Sequence, residues 1–490
     1  MKLPEVLTHI PYFQTNQSIA EIEITGVEMD SREVKKGDLF ICLPGEHFDG
    51  HDFVDQAIKK GAAALVCERA LDVSIPYVVV PDSSRAMGSI ANTFYKYPTT
   101  GMQLVGITGT NGKTSISYLL EEVFQMNHHK TGLIGTIQMK INESVYPVKN
   151  TTPDSLFLQK SFHTMKEQNV DTTIMEVSSH ALDKGRVHGC DFDVAVFTNL
   201  SQDHLDYHST MDEYLHAKSL LFAQLGNTYN PQHPKFAVIN EDDDAAGVMK
   251  RSTAQPVLSY GIHKEAAIMA KDLHLHEKGT TFTLSTPEGE TLINSSLMGK
   301  FNVYNMLAAA GAAIASGVKL EVIKKALEAS KGVRGRFEPV EENQPFGVVI
   351  DYAHTPDSLH NVLQTMREFC KGKVRVVVGC GGNRDRTKRP LMADVAMEFG
   401  DHAIFTSDNP RTESPEQILD DMTEHLSGGY DRIVDRREAI EYALGKAQPG
   451  DMVLIAGKGH ETYQEINGKR YEFDDREIAR ELLKQLKESK

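Results

Sequence analysis

Apolar positions along this chain fall mostly in short unbroken runs. Each run stops at a glycine or polar turn and leads into a segment with helical spacing. Leu104-Val105-Gly106-Ile107-Thr108 is followed by Gly109-Thr110-Asn111-Gly112-Lys113-Thr114-Ser115, and then by apolar residues at 116, 118, 119, 120, 123 and 124. The spacing predicts strand, loop, helix. The same alternation recurs along most of the chain and predicts α/β architecture with mainly parallel sheets.

Before residue 98 the expected elements are strands at Ile22–Val27, Asp38–Leu43, Ala62–Cys67 and Tyr77–Val80, with a helix over Val54–Lys60. Tyr95–Gly101 has the composition of a linker. Beyond it, strands are predicted at Thr172–Val177, Val194–Thr198 and Ala237–Asn240. A few antiparallel strands are expected within 266–300, and an alanine-rich helix over Ala308–Ala315. Gly332–Phe337 marks a second boundary. After it come strands at Gly347–Asp351, Val374–Gly379, Ala403–Thr406 and Met452–Ala456, a helix near Leu359–Cys370 and a charged amphipathic helix from Asp475 to Lys490. Three α/β domains are therefore expected, at 1–98, 99–334 and 335–490. The central one resembles a P-loop ATPase sheet, and the last is a Rossmann-like doubly wound unit.

Composition narrows the function. With 52 Lys+Arg against 68 Asp+Glu, the formal charge of −16 argues against non-specific nucleic-acid binding and gives no membrane-surface signal. The five cysteines are scattered, with no C-x-x-C pair, as expected for reduced thiols in a cytoplasmic protein. The start of the chain lacks a signal-peptide core, and no apolar run is long enough to span a membrane.

The glycine-rich turn before Lys113 carries the first chemistry. Glycines let backbone N–H groups crowd a phosphate, and the helix N-terminus adds partial positive charge. Lys113 would reach the outer phosphates of ATP, and the Thr114 hydroxyl would sit on Mg²⁺. The G-x-x-x-x-G-K-[ST] pattern wants glycine where Ile107 stands, so the match is one residue off. Glu176, at the end of an apolar strand, is a candidate magnesium ligand or else a solvated strand-end acid. The alternating His204, Asp206 and His208 could bind zinc, but three ligands this close rarely form a whole site. His204 contributing to a magnesium cluster is preferred, and Asp203 or Asp206 serves equally well as a helix cap. Lys218 lies on the following helix, and a lysine beside a metal cluster is electrostatically odd because two cations repel.

Several motifs together resemble the Mur ligase family: Gly109–Thr114, Glu176-Val177-Ser178-Ser179-His180, Asp203–His208, His216–Phe222, Gly299–Asn305, Gly335–Glu338 and Asp351–Pro356. The match runs in order along essentially the whole chain. The resemblance implies ATP-dependent amide formation through an acyl phosphate, in cytoplasmic peptidoglycan-precursor synthesis. It also implies that Lys218 is carbamylated by CO₂ and becomes a magnesium ligand beside Thr114, Glu176 and His204. Lys113, Lys218, Glu176 and His204 are then catalytic. ATP would be held by Gly109 to Ser115 with Asn302, Asn305, Arg336 and Asp351.

The resemblance further implies that Ser31, Asn150, Thr151, Thr152, Ser178, Lys184 and Arg186 hold UDP-MurNAc-L-Ala-D-Glu, with Glu46-His47-Phe48 in a second uridine loop. Lys184 stands where Gln is common, and Asn383 where Asp is usual. Asp408-Asn409-Pro410-Arg411 matches the signature of the branch that takes meso-diaminopimelate rather than L-lysine. A guanidinium can grip the extra carboxylate bidentately. Arg384, Gly457 and Glu461 match the remaining amino-acid contacts. A monomer is expected. His354 receives no role. The rivals are a folylpolyglutamate synthetase-like ligase, an L-lysine-adding ligase and a nucleotide switch that ligates nothing.

Overall fold

A computed structural model describes residues 1–45, 48–204, 207–231, 233–276 and 279–488. Among the described residues three larger sheets follow one another along the chain, with a two-stranded hairpin beside the last. In the first, Gly26–Glu28, Asp38–Ile41, Ala64–Cys67 and Tyr77–Val79 run parallel, and Gln14–Thr15 adds antiparallel to Tyr77–Val79. The strand expected at 22–27 is displaced to Gly26–Glu28. Its first residues instead meet the start of the chain: Lys2 bridges Glu23, and Ile24 N–H donates to the Met1 carbonyl.

The central sheet has eleven strands. Gln103–Thr108 lies at its middle, between Thr172–Glu176 and Val194–Phe197 and parallel to both. Parallel pairing continues to Thr131–Ile134 on one side, and through Phe236–Asn240 and Val257–Gly261 to Ile268–His276 on the other. Antiparallel hairpins finish both edges, Met139–Ile141 with Ser144–Tyr146 and Gly279–Thr286 with Gly289–Ser295. The 266–300 strands expected from sequence thus extend the central sheet, while the 139–146 hairpin was not expected.

Both faces of the central strand are covered. Val105 and Ile107 pack with Ile116, Leu120 and Met306 on one face, and Leu104 joins Phe162, Met175 and Phe197 on the other. A strand buried on both faces reads as a continuous apolar run because neither face meets water. The helix Lys300–Ala315 contains the alanine-rich segment, whose small side chains suit its nearly complete burial.

The third sheet runs Glu338–Pro339, Gly347–Asp351, Met452–Ala456, Val374–Val378, His402–Phe405, Tyr430–Arg432. All neighbours are parallel except the first pair. Separate cores on its two faces, one around Leu359 and Met392 and one around Ile440 and Ile478, make it doubly wound. In such sheets ligands bind beyond the carboxyl ends of the strands. A hairpin, Tyr463–Ile466 with Lys469–Glu472, stands beside that end, and Asp475–Glu488 closes the domain as a helix. Among the described residues no helix is long and apolar enough to cross a membrane.

Candidate active site

The strand Gln103–Thr108 ends in a loop built for close backbone approach. Gly109 has φ 147°, and a Cβ there would lie 1.8 Å from Thr198 Oγ1. Gly112 has φ 89° and caps the helix Lys113–Met126. The off-by-one pattern therefore still yields strand, turn and helix N-terminus. Lys113 Nζ donates to the carbonyls of Gly109 and Thr110 at 2.7 and 2.8 Å, so the ammonium curls over its own loop. Burial pushes its pKa down, against the pull of Glu176 and Asp203.

Glu176, at the carboxyl end of the adjacent strand, is fully used. Thr114 Oγ1 donates to Oε2 at 3.0 Å, Thr136 Oγ1 to the same oxygen at 2.9 Å, and Thr136 N–H to Oε1 at 2.9 Å. Thr136 belongs to none of the motifs read from the sequence. The signal was available, since Gly135-Thr136 follows the next parallel strand at its carboxyl end. Arg336 Nη2 donates to Thr114 Oγ1 at 3.3 Å, bringing the third domain onto the phosphate loop. The same guanidinium lies 4.5 Å from the Tyr352 ring centre. Burial raises the Asp351 carboxyl to about 6, with Arg336 opposing.

Lys218 is buried, its Nζ 4.1 Å from the centre of the Tyr214 ring. Burial first, and repulsion from Lys113 second, hold its pKa well below the usual lysine value. His204 adopts a left-handed φ of 56°, 3.4 Å from the Asp203 carboxylate, and its ring stands edge-on to His180. Burial pushes the pKa of this imidazole down to about 3, against the pull of Asp203. His208 pairs with Ser179 Oγ at 3.0 Å, and Asp206 lies outside the described residues. Among the described residues no three His, Cys, Asp or Glu side chains form a metal-binding group. The residues near the loop offer instead a hydroxyl, the carboxylates of Glu176 and Asp203, an imidazole and a lysine whose charge is disfavoured. That set suits a hard divalent cation only if the lysine loses its positive charge.

Next to Glu176 a second group converges. Thr152 Oγ1 donates to the Glu176 carbonyl at 2.8 Å and accepts from Ser178 N–H at 3.0 Å. Arg186 donates to the Thr152 carbonyl at 3.0 Å, and Thr151 Oγ1 meets Thr136 Oγ1 at 3.1 Å.

Across the cleft, Asn409 Nδ2 donates to Glu461 Oε2 at 2.7 Å, and Lys458 Nζ donates to Asn409 Oδ1 and Glu461 Oε2 at 3.1 and 3.2 Å. Burial and the nearby Asp408 raise the Glu461 pKa, and Lys458 opposes the shift. Arg411, at φ 53°, donates to the Gly382 carbonyl at 2.7 Å. Arg389, fully buried, ion-pairs with Glu413 and Asp421 and fixes the two loops that carry Arg384 and Arg411. Neither Arg389 nor Lys458 stood out in the sequence, because their partners are distant or unremarkable by type.

One cleft of about 820 Å³ is lined by Thr110 to Ser115, Asn150 to Thr152, Glu176, Ser178, Arg186, His204, Lys218, Asn305, Arg336, Asp351, Arg384, Asp408, Asn409, Arg411, Gly457 and Glu461. Six expected residues are not among its walls, one of them Phe48 of the second uridine loop, which is exposed. The Gly109 carbonyl accepts from Lys113 Nζ and the Pro410 carbonyl from Glu413 N–H at 3.0 Å, and Asn302 braces Asn305 through a 3.2 Å hydrogen bond. Lys184 sits 5.0 Å from the centre of the Tyr207 ring. Ser31 is in the first domain, donating to Gln56 at 2.7 Å. Glu46 and His47 lie outside the described residues.

A phosphate loop at the centre of a parallel sheet, faced by a doubly wound domain and preceded by a smaller α/β unit, defines a three-domain P-loop α/β protein. The chain belongs to the Mur ligase family. Residues 23–95 match the profile of the Mur ligase family catalytic domain, 107–313 the Mur ligase middle domain and 335–459 the Mur ligase glutamate ligase domain. Relatives named UDP-N-acetylmuramoyl-L-alanyl-D-glutamate–2,6-diaminopimelate ligase include one from Oceanobacillus iheyensis, 56% identical over 99% of both chains. Another, from Listeria monocytogenes, is 51% identical over 98% of both. A solved structure of an enzyme of that name aligns with TM-score 0.72 and 36% identity, over 99% of this chain and 100% of its own. A folylpolyglutamate synthase from Mycobacterium tuberculosis shares the fold, with TM-score 0.63 and 17% identity over 76% of this chain and 92% of its own.

Proposed function

We propose that this protein is an ATP-dependent amide ligase that joins meso-2,6-diaminopimelate to UDP-N-acetylmuramoyl-L-alanyl-D-glutamate in the cytoplasm. The observation that carries the reading is one cleft with a phosphate loop on one wall and Arg384, Arg411 and the Asn409–Glu461 pair on the other. A nucleotide switch has no use for the second wall. The likeness to curated relatives over the whole chain favours this reading over a folylpolyglutamate-type ligase. The domain limits at 98/99 and 334/335 go with it.

In this reading the backbone of 109–115 and Lys113 hold the ATP phosphates, while Asn305, Arg336 and Asp351 hold the rest of the nucleotide. Asn150 to Thr152, Ser178 and Arg186 orient the dipeptide so that its D-glutamate carboxylate attacks the γ-phosphorus, with ADP leaving. The amine of diaminopimelate then attacks the acyl carbon, loses a proton, and phosphate departs. Arg411 and Arg384 hold its carboxylates, and Glu461 accepts from its distal ammonium. Thr114, Glu176, His204 and Lys218 as carbamate would hold Mg²⁺, which would neutralise the phosphate charge. Lys218 fits that state because neutral amine plus CO₂ gives an anion and a released proton, which removes the repulsion from Lys113.

The test is phosphate release from ATP with the UDP-dipeptide and meso-diaminopimelate, L-lysine or no amino acid. Release with diaminopimelate only is expected, and Arg411→Ala should lose it while still binding ATP. Equal use of lysine refutes the selectivity, and release without an amino acid points to the switch.

A further inference from the structure

Asp357 lies in the first turn of the helix Pro356–Phe369, on the third domain, and faces the cleft. Thr355 and Ser358 close a capping box around that turn, so its backbone is held. One carboxylate oxygen, Oδ2, accepts from Asn111 Nδ2 at 2.7 Å and from Ser201 Oγ at 2.9 Å. Both donors belong to the central domain, on different loops. Asn111 is in the phosphate loop. Ser201 is in the loop after strand Val194–Phe197, two and three residues before Asp203 and His204.

The two loops are already laced together on the central side. Asn111 N–H donates to Asn199 Oδ1 at 2.9 Å, and Thr198 Oγ1 donates to the Asn111 carbonyl at 2.6 Å. Ser201 N–H donates to Thr110 Oγ1 at 3.0 Å. These bonds engage the backbone of Asn111 and the backbone of Ser201. The bonds from their side chains run to Asp357, and a shared carboxylate oxygen accepts both as charge-assisted hydrogen bonds.

We propose that Asp357 is a positioning residue through which docking of the third domain sets the phosphate loop and the His204-bearing loop in register for reaction. It touches no reacting atom. Its effect is geometric: Lys113 follows Asn111 by two residues, and small displacements of a positioned group are costly in turnover. For turnover the idea rests on the ligase reading above, but its structural arm does not.

The alternative is that Asp357 merely complements the positive end of its own helix. Hydrogen exchange on the full chain separates the two. For Asp357→Ala, amides of 110–114 and 199–204 should exchange faster by about tenfold or more, while those of the helix 356–369 keep wild-type protection. Loosening confined to the helix, or unchanged exchange in both loops, overturns the proposal whether or not the protein ligates. In steady state, kcat should fall roughly ten- to a hundredfold with KM for ATP nearly unchanged. Asp357→Asn retains a carbonyl acceptor and should recover most of the loss. A loss confined to KM, or an Asn variant as slow as the Ala variant, overturns the proposal. Ser201→Ala combined with Asp357→Ala should be less damaging than the product of the single effects, and strict multiplication contradicts a shared contact.

Discussion

Arg436 and Asp475 face each other through two hydrogen bonds, of 2.8 and 2.7 Å, with neither side chain exposed to solvent. Each opens a helix, and Arg436 also donates to the Ala456 carbonyl at 2.8 Å and the Ser407 carbonyl at 3.4 Å. The pair thereby ties the ends of two parallel strands beside Asp408 and Gly457. Removing one partner leaves a buried charge without compensation. Asp475→Ala should lower the stability of the third domain by about 3–5 kcal/mol, read as a shift in its urea midpoint. Arg436→Met with Asp475→Leu should cost less than either single change.

Lys218→Ala should abolish turnover if, as proposed, this buried side chain carries the carbamate that holds Mg²⁺ with Glu176 and His204. Short carboxylic acids added to the assay should restore part of it. Intact-mass analysis of gently handled wild type should show one added CO₂, absent in the variant. Full activity of Lys218→Ala would remove the carbamate from the account. So would turnover of the wild type that survives exhaustive removal of CO₂.

The His460 imidazole supplies a pH dependence with a definite sign. Burial first, and then the nearby positive charges of Arg336, Arg334 and Lys458, push its pKa down to about 3 from a usual value of 6.5. Between those values the unfolded chain binds a proton that the folded chain refuses. Stability therefore rises with pH across that window and is lost as pH falls through it, by up to about 1.4 kcal/mol per pH unit. Asp193 acts oppositely, since burial raises it to about 6. Subtracting the stability curve of His460→Gln from that of the wild type isolates the histidine. The difference should climb from about pH 3 to 6.5, and a flat difference contradicts the assignment.

Much of the fold is legible in the sequence wherever a local pattern sufficed. The apolar run before Gly109, the helix after Gly112 and the helix Val54–Lys60 follow directly from periodicity and turn chemistry. The strand read at 22–27 failed because its pairing partner is the first turn of the chain, which no local pattern reveals. The hairpins at 139–146 and 463–472 are short and carry exposed polar positions, so their alternation is weak. Within the cleft, residues with a motif were found. Asp357 on its wall was not, nor were Arg389 and Lys458, which brace wall-bearing loops from outside it, because their roles depend on partners supplied by folding: Asn111 and Asp357 stand 246 positions apart.

The strand that ends in the phosphate loop pairs with 172–176 and 194–197 and, among the described residues, with no strand closer in sequence. Such non-local pairing is slow to form, because loop-closure entropy comes before any reward. A chain emerging from the ribosome therefore carries the complete nucleotide-binding motif long before it carries a nucleotide-binding site. ATP can recognise and stabilise the central sheet only after its middle has closed, which makes nucleotide affinity a late and sensitive reporter of correct assembly.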